Sequence, residues 1–203
     1  MKIPGLIAVL ALCSLPAAHG ADTDPSPTLI EQNTLTRMDT VPTKDEVLTA
    51  TGSVERLTTL ATTATIPFGV QLRAIRALPH FCIPDCKPNL AGQNHVAHTA
   101  ALTVIASVPS SDRTGQSILR LRAAIEALGL IRSGLNSDIA LLVPFLDDAS
   151  RDLRVTTARA LATTCNTLAL DPLRNRAIVE PVDSVKQVIG EATRRLNECP
   201  PPL

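Results

Sequence analysis

Apolar residues return at intervals of three and four along most of this chain, the spacing that lines one face of a helix, and Pro, Gly, Ser and Asp separate the blocks. Thr43 and Glu46 match a capping box, so a short helix is expected over 44–51 and is stopped by Gly52. Ser53 can cap the next helix, where Val54, Leu57, Leu60 and Ala61 share a face. Beyond Pro67, a second helix over about 69–79 turns Val70, Ala74, Ala77 and Leu78 inward. After an interruption at 80–94, helices are expected from His95 to about Val108 and from Gln116 to Ile131. Asn136 or Ser137 should cap a helix carrying Ile139, Leu142, Val143 and Leu146, with Pro144 kinking it unless its missing N–H falls near a first turn. Leu153, Ala158, Leu161 and Cys165 line the helix after it. Residues 171–181 read as a loop or short helix, and a last helix runs from about Pro181 to Leu196. Residues 21–42, with Asp, Thr, Pro and Ser in no helical period, read as an irregular leader.

One unit recurs within this pattern. Ile75–Arg76–Ala77–Leu78, Ile125–Glu126–Ala127–Leu128–Gly129 and Ala158–Arg159–Ala160–Leu161–Ala162 each close an apolar-periodic run with Ala two residues after an apolar residue, then Leu. Such recurrence predicts stacked helix pairs, here an all-α, short right-handed solenoid over 43–199. The interval is uneven, and the 80–94 insertion accounts for the longer one.

The third pair carries a resemblance. Ile139–Ala140–Leu141–Leu142–Val143–Pro144–Phe145–Leu146–Asp147–Asp148, then Asp152–Leu153–Arg154–Val155–Thr156–Thr157–Ala158–Arg159–Ala160–Leu161, resembles a HEAT repeat. That armadillo-like family, whose exported bacterial members the chain is similar to, often has proline in the first helix, an aspartate turn and an Asp-hydrophobic-Arg opening to the second. The resemblance implies core positions at Leu142, Leu146, Val155, Ala158 and Leu161, and it places the family's arginine at Arg154. The first two units match only through their Ala–Leu motifs and lack the aspartate turn in its usual form. The commoner role the resemblance implies is scaffolding or protein binding. The family's iron-dependent hydroxylases use His–Glu pairs, and no His–Glu dipeptide occurs here.

Composition narrows the function further. With 19 Lys plus Arg against 19 Asp plus Glu, no Trp, no Tyr and three Phe, the chain has neither a broadly basic surface nor an aromatic platform for nucleic acid. No phosphate-binding Gly-rich loop, nucleophile elbow or HExxH motif is present. Lys2, the apolar stretch 3–12 and the small residues Ala18 and Gly20 form a signal-peptide pattern over 1–20, which predicts a periplasmic or secreted protein. Cys13 would be a lipid-anchor site, but Leu12 stands where a small residue belongs. No later run is long and apolar enough for a transmembrane segment.

Past the leader, Cys82, Cys86, Cys165 and Cys199 permit two disulfides in three connectivities. A local Cys82–Cys86 bridge would pin the insertion, and Cys165–Cys199 would tie the last helix to the stack. Alternatively His80, Cys82, Cys86, His95 and His98 could hold zinc, making the chain a small metal-binding protein, although their spacing follows no strong zinc signature. Arg73, Arg76, Arg120, Arg122, Arg132, Arg151, Arg154 and Arg159 recur along the second helices and would make a ridge facing an acidic protein partner, with Arg73, Arg76, Arg122 and Arg159 foremost; solvated surface is the plainer account of most of them. Asp147, Asp148 and Asp152 lack a calcium loop's full ligand pattern and read as caps.

Overall fold

The computed structural model describes residues 25–37, 42–82, 93–112 and 114–199, with the side chains of 93–95 excepted. Among them are ten α-helices and no strand: α1 Leu29–Leu35, α2 Lys44–Thr51, α3 Val54–Thr62, α4 Phe68–Ala77, α5 Gln93–Ser107, α6 Gly115–Ile131, α7 Asn136–Leu142, α8 Arg151–Thr163, α9 Leu170–Val179 and α10 Asp183–Asn197. No described helix is long and apolar enough to cross a membrane.

Local chemistry explains the early boundaries. The Thr43 backbone N–H donates to Glu46 Oε2 at 2.8 Å and the Glu46 N–H donates back to Thr43 Oγ1 at 3.3 Å, which fixes the start of α2. Gly52 ends it with φ +73°, a left-handed conformation that glycine adopts without penalty. Ser53 then accepts the Arg56 N–H and opens α3.

Several expectations are corrected. The leader is not irregular throughout: Thr28 and Glu31 form a second capping box, and α1 follows it. Neither Asn136 nor Ser137 caps α7, because Leu135 occupies that position and offers no side-chain hydrogen bond. Pro144 does not kink a continuing helix. The α-helix ends at Leu142 and a 3-10 turn over Val143–Asp147 takes up the missing N–H. Of the loop or short helix expected at 171–181, the helix is what forms: α9 carries Pro172 in its first turn, where no amide donor is needed. Cys165 lies just past α8 rather than within it, at φ 53°.

Helices α4, α6, α8 and α10 pack in succession, each on the next. On their other side, α3 packs on α4 and α5, α5 on α6, the 3-10 turn after α7 on α8, and α9 on α10. Helix α5 lies between α3 and α6, and its buried Ala97, Ala100, Ala101, Val104 and Ile105 give it a wide apolar face. Small residues let these helices approach closely. At Gly129 on α6, a Cβ would lie 2.7 Å from Ala160 Cα and 2.9 Å from the Ala160 carbonyl oxygen on α8. Those are backbone atoms, so the two helices would have to separate. Gly129→Ala is therefore expected to destabilise the fold by about 1–2 kcal/mol, overpacking outweighing the roughly 1 kcal/mol of helix propensity gained. A lower urea midpoint at unchanged slope would register it.

Candidate functional site

The close packing of α4, α6 and α8 shapes one face of the molecule. Between α4 and α6 lies a pocket of about 420 Å³ whose floor is Ala77, Ala123 and Ala127. Alanine stops at Cβ, so the longer side chains on either side stand above the floor as walls. Those walls are Arg73 and Arg76 from α4, His80 from the 3-10 turn after it, and Arg122 from α6. A second pocket of about 170 Å³ follows between α6 and α8, over Ala160 and beside Arg159. The two hollows share Arg122, Glu126 and Leu130, which the four-residue spacing on α6 aligns into a crest between them. Leu130 is 51% exposed on that crest.

Arg73, Arg76, Arg122 and Arg159 thus come together on one contiguous face, while Arg120, Arg132, Arg151 and Arg154 line neither hollow. Arg122 meets Asp152 at 3.3 Å across an exposed pair. Among the described residues, Arg73, Arg76 and Arg159 have no carboxylate partner. Within the two hollows Glu126 is the acidic group set against the arginines, leaving the surface basic within a nearly neutral chain. Arg76 and Arg159 are exposed and Arg73 partly so, and guanidiniums without acceptors are ready to receive carboxylates in paired geometry.

Of the Cys/His candidates, the described residues place His80, Cys82 and His98. His80 lines the arginine pocket. His98 is buried on α5, where its Nε2 lies 2.8 Å from Asp138 Oδ2 on α7. Ser133 donates its hydroxyl to the same carboxylate oxygen and accepts the Leu135 N–H at 3.1 Å. All three side chains are buried, and the trio ties α5 to α7. Cys82 is disulfide-bonded and offers no thiolate. Cys86 and the His95 side chain lie outside the described residues, as does Cys13. Among the described residues no three His, Cys, Asp or Glu side chains gather as a metal site.

Two buried ion pairs escaped the sequence reading. Arg154 reaches the carbonyls of Asp148 and Ala149 at 3.0 and 3.2 Å. Its guanidinium forks onto Glu180, Nε to Oε2 at 2.9 Å and the second nitrogen to Oε1 at 2.8 Å. Arg176 adds bonds to the same carboxylate at 2.7 and 3.1 Å and pairs with Asp147 at 2.8 Å. Burial alone would raise the Glu180 pKa, but the bonds from Arg154, Arg176 and the Val182 N–H outweigh it and hold the carboxyl at about 2. At the other end, Arg56 of α3 binds Glu31 of α1 at 2.7 and 3.0 Å. Burial there too is outweighed by the bonds from Arg56 and Thr28, and the pKa falls below its ordinary value. These clamps join neighbouring helices and do not face the pockets.

The bridge between Cys165 and Cys199 is present, with the two Cα atoms 5.6 Å apart. Compared with known families, curated proteins and solved structures, the chain matches none. The geometry of the arginine face therefore carries the functional reading.

Proposed function

We propose that this chain is a short α-solenoid of degenerate HEAT-like helix pairs, exported to an oxidising compartment, whose arginine-lined face binds a partner protein. The observation that carries the reading is the convergence of Arg73, Arg76, Arg122 and Arg159 on the outer face of three successive helices. Evenly solvated charge has no need of a shared pair of alanine-floored hollows or an exposed leucine between them. Arginine is the residue that interfaces favour for forked contact with carboxylates. The succession of α4, α6, α8 and α10 supports the solenoid, and the Cys165–Cys199 bridge supports export to the periplasm or beyond.

A photo-cross-linking residue in place of Leu130, on the crest, is expected to yield one discrete protein adduct in the exported fraction of the source cells. The same residue in place of the exposed Lys186 on α10 should yield none. Reversing two charges, Arg122→Glu with Arg159→Glu, should cut the adduct at least roughly tenfold, a loss of about 1.4 kcal/mol, while the helical signal stays unchanged. Equal adducts from both positions, or adducts indifferent to the charge reversal, would sink the reading.

A further inference from the structure

We infer that the occupant of this face is an extended, polyproline-like acidic segment of the partner, with a carboxylate at every third residue; this rests on the protein-binding reading above. Three observations lead there. The basic groups are divided between two hollows, Arg73, Arg76 and Arg122 around the first and Arg122 and Arg159 around the second, rather than pooled in one. The hollows lie either side of α6, so their centres are one interhelical distance apart, about 8–10 Å for packed helices. A polyproline II segment returns to the same face every three residues and advances about 9 Å in doing so. Carboxylates at positions i and i+3 of such a segment therefore drop into successive hollows.

The crest between the hollows sets the remainder of the pattern. Arg122, Glu126 and Leu130 stand along it, so a segment that crosses α6 between Glu126 and Leu130 sets like charge against any carboxylate placed there. Leu130, also on the crest and half exposed, offers an apolar contact to whatever crosses there. The two residues between the acidic positions are accordingly neutral and apolar, and proline suits both the contact and the backbone. A strand would place i and i+3 on opposite faces. A helix returns i+3 after only about 4.5 Å, half the distance required. A small free anion would fill one hollow and leave either Arg159 or Arg73 and Arg76 unused.

The test uses the full folded chain and fluorescent synthetic peptides of one composition in two orders, repeated Glu-Pro-Pro and a block of glutamates followed by prolines. The repeat is expected to bind more tightly, by at least about two- to fivefold for the misplaced charges. Arg73→Gln, Arg122→Gln and Arg159→Gln should each weaken it by about two- to fivefold, and Glu126→Gln should tighten it by a similar factor. Opposed signs from neighbouring surface residues are not what general destabilisation produces, and raising salt above about 0.1 M should compress all four effects. Equal affinity for the two peptide orders, or no gain from Glu126→Gln, overturns the spacing. Citrate that displaces the repeat peptide at equal carboxylate concentration shows a small-anion site and overturns the segment. If neither peptide binds while the adduct at position 130 persists and still depends on Arg122 and Arg159, the acidic segment falls and the protein-binding reading stands. Loss of that dependence removes both.

Discussion

Glu180→Ala is expected to destabilise the fold by roughly 3–5 kcal/mol, because it leaves the buried Arg154 guanidinium without its counter-charge. Arg154 is 6% exposed and Glu180 5%, so water cannot replace the lost partner. The deficit is mostly the cost of an orphaned charge rather than the worth of the pair. Arg154→Met combined with Glu180→Leu should therefore recover most of the loss, and urea unfolding of the native chain and these two variants separates the two quantities. Arg176 keeps Asp147 in that double variant, so it is not orphaned in turn. The same carboxylate sets an acid limit. Its pKa is lowered from 4.5 to about 2 on folding, so its contribution is complete above about pH 4.5 and lost as pH falls through 2. Glu31, lowered likewise, acts in the same direction. Unfolding midpoints followed from pH 6 downward should fall across that window in the native chain and change less in the double variant. An equal fall in both would place the acid sensitivity elsewhere.

What sequence could and could not disclose divides along the range of each interaction. Thr43 with Glu46, Gly52 and Ser53 act within four residues, and the helices they bound start and stop where their chemistry says. Thr28 and Glu31 carry the same capping signal, and composition around them obscured it. Helix α9 was hard to read for a different reason. It buries Leu173 fully and little else, leaving Ile178 and Val179 exposed, so its apolar period is weak. The partners of Arg154 and His98 were beyond reach, since Glu180 lies 26 residues on and Asp138 lies 40. Nothing in a linear pattern distinguishes those acids from solvated ones. The arginine face falls between the two cases. Arg73 and Arg76 share a helix face by their spacing, but their meeting with Arg122 and Arg159 needs three helices stacked in register. Glu126, which divides that face, sat within a repeated motif and looked like ordinary surface.

Opening the Cys165–Cys199 bridge is expected to cost nearly as much as orphaning Arg154. The bridge closes 34 residues, for which the chain-entropy account gives about 3–4 kcal/mol. For a chain of this length that corresponds to a fall of about 10 °C in Tm in the Cys165→Ser, Cys199→Ser variant, and reduction, which also opens the bond at Cys82, should cost at least as much. The loss should concentrate on α9 and α10. Helix α10 buries Val185, Ile189, Ala192 and Leu196 against the body on one side while its other side is polar, and Cys199 anchors the end from which it would otherwise fray. Amide exchange should accordingly rise first in α10 and leave α5 and α6 protected. The choice of replacement matters at one of the two positions. Cys165 has φ 53°, a left-handed conformation that costs a residue with a Cβ about 1 kcal/mol. Glycine at 165 relieves that cost but has more freedom to lose on folding, so Cys165→Gly with Cys199→Ser should recover part of 1 kcal/mol relative to the double serine variant. A glycine variant less stable than the serine one would show that the left-handed residue is held by its surroundings at no cost. A stability unchanged by reduction would show that α10 is kept in place by its apolar face alone, and would withdraw the structural support for an oxidising compartment.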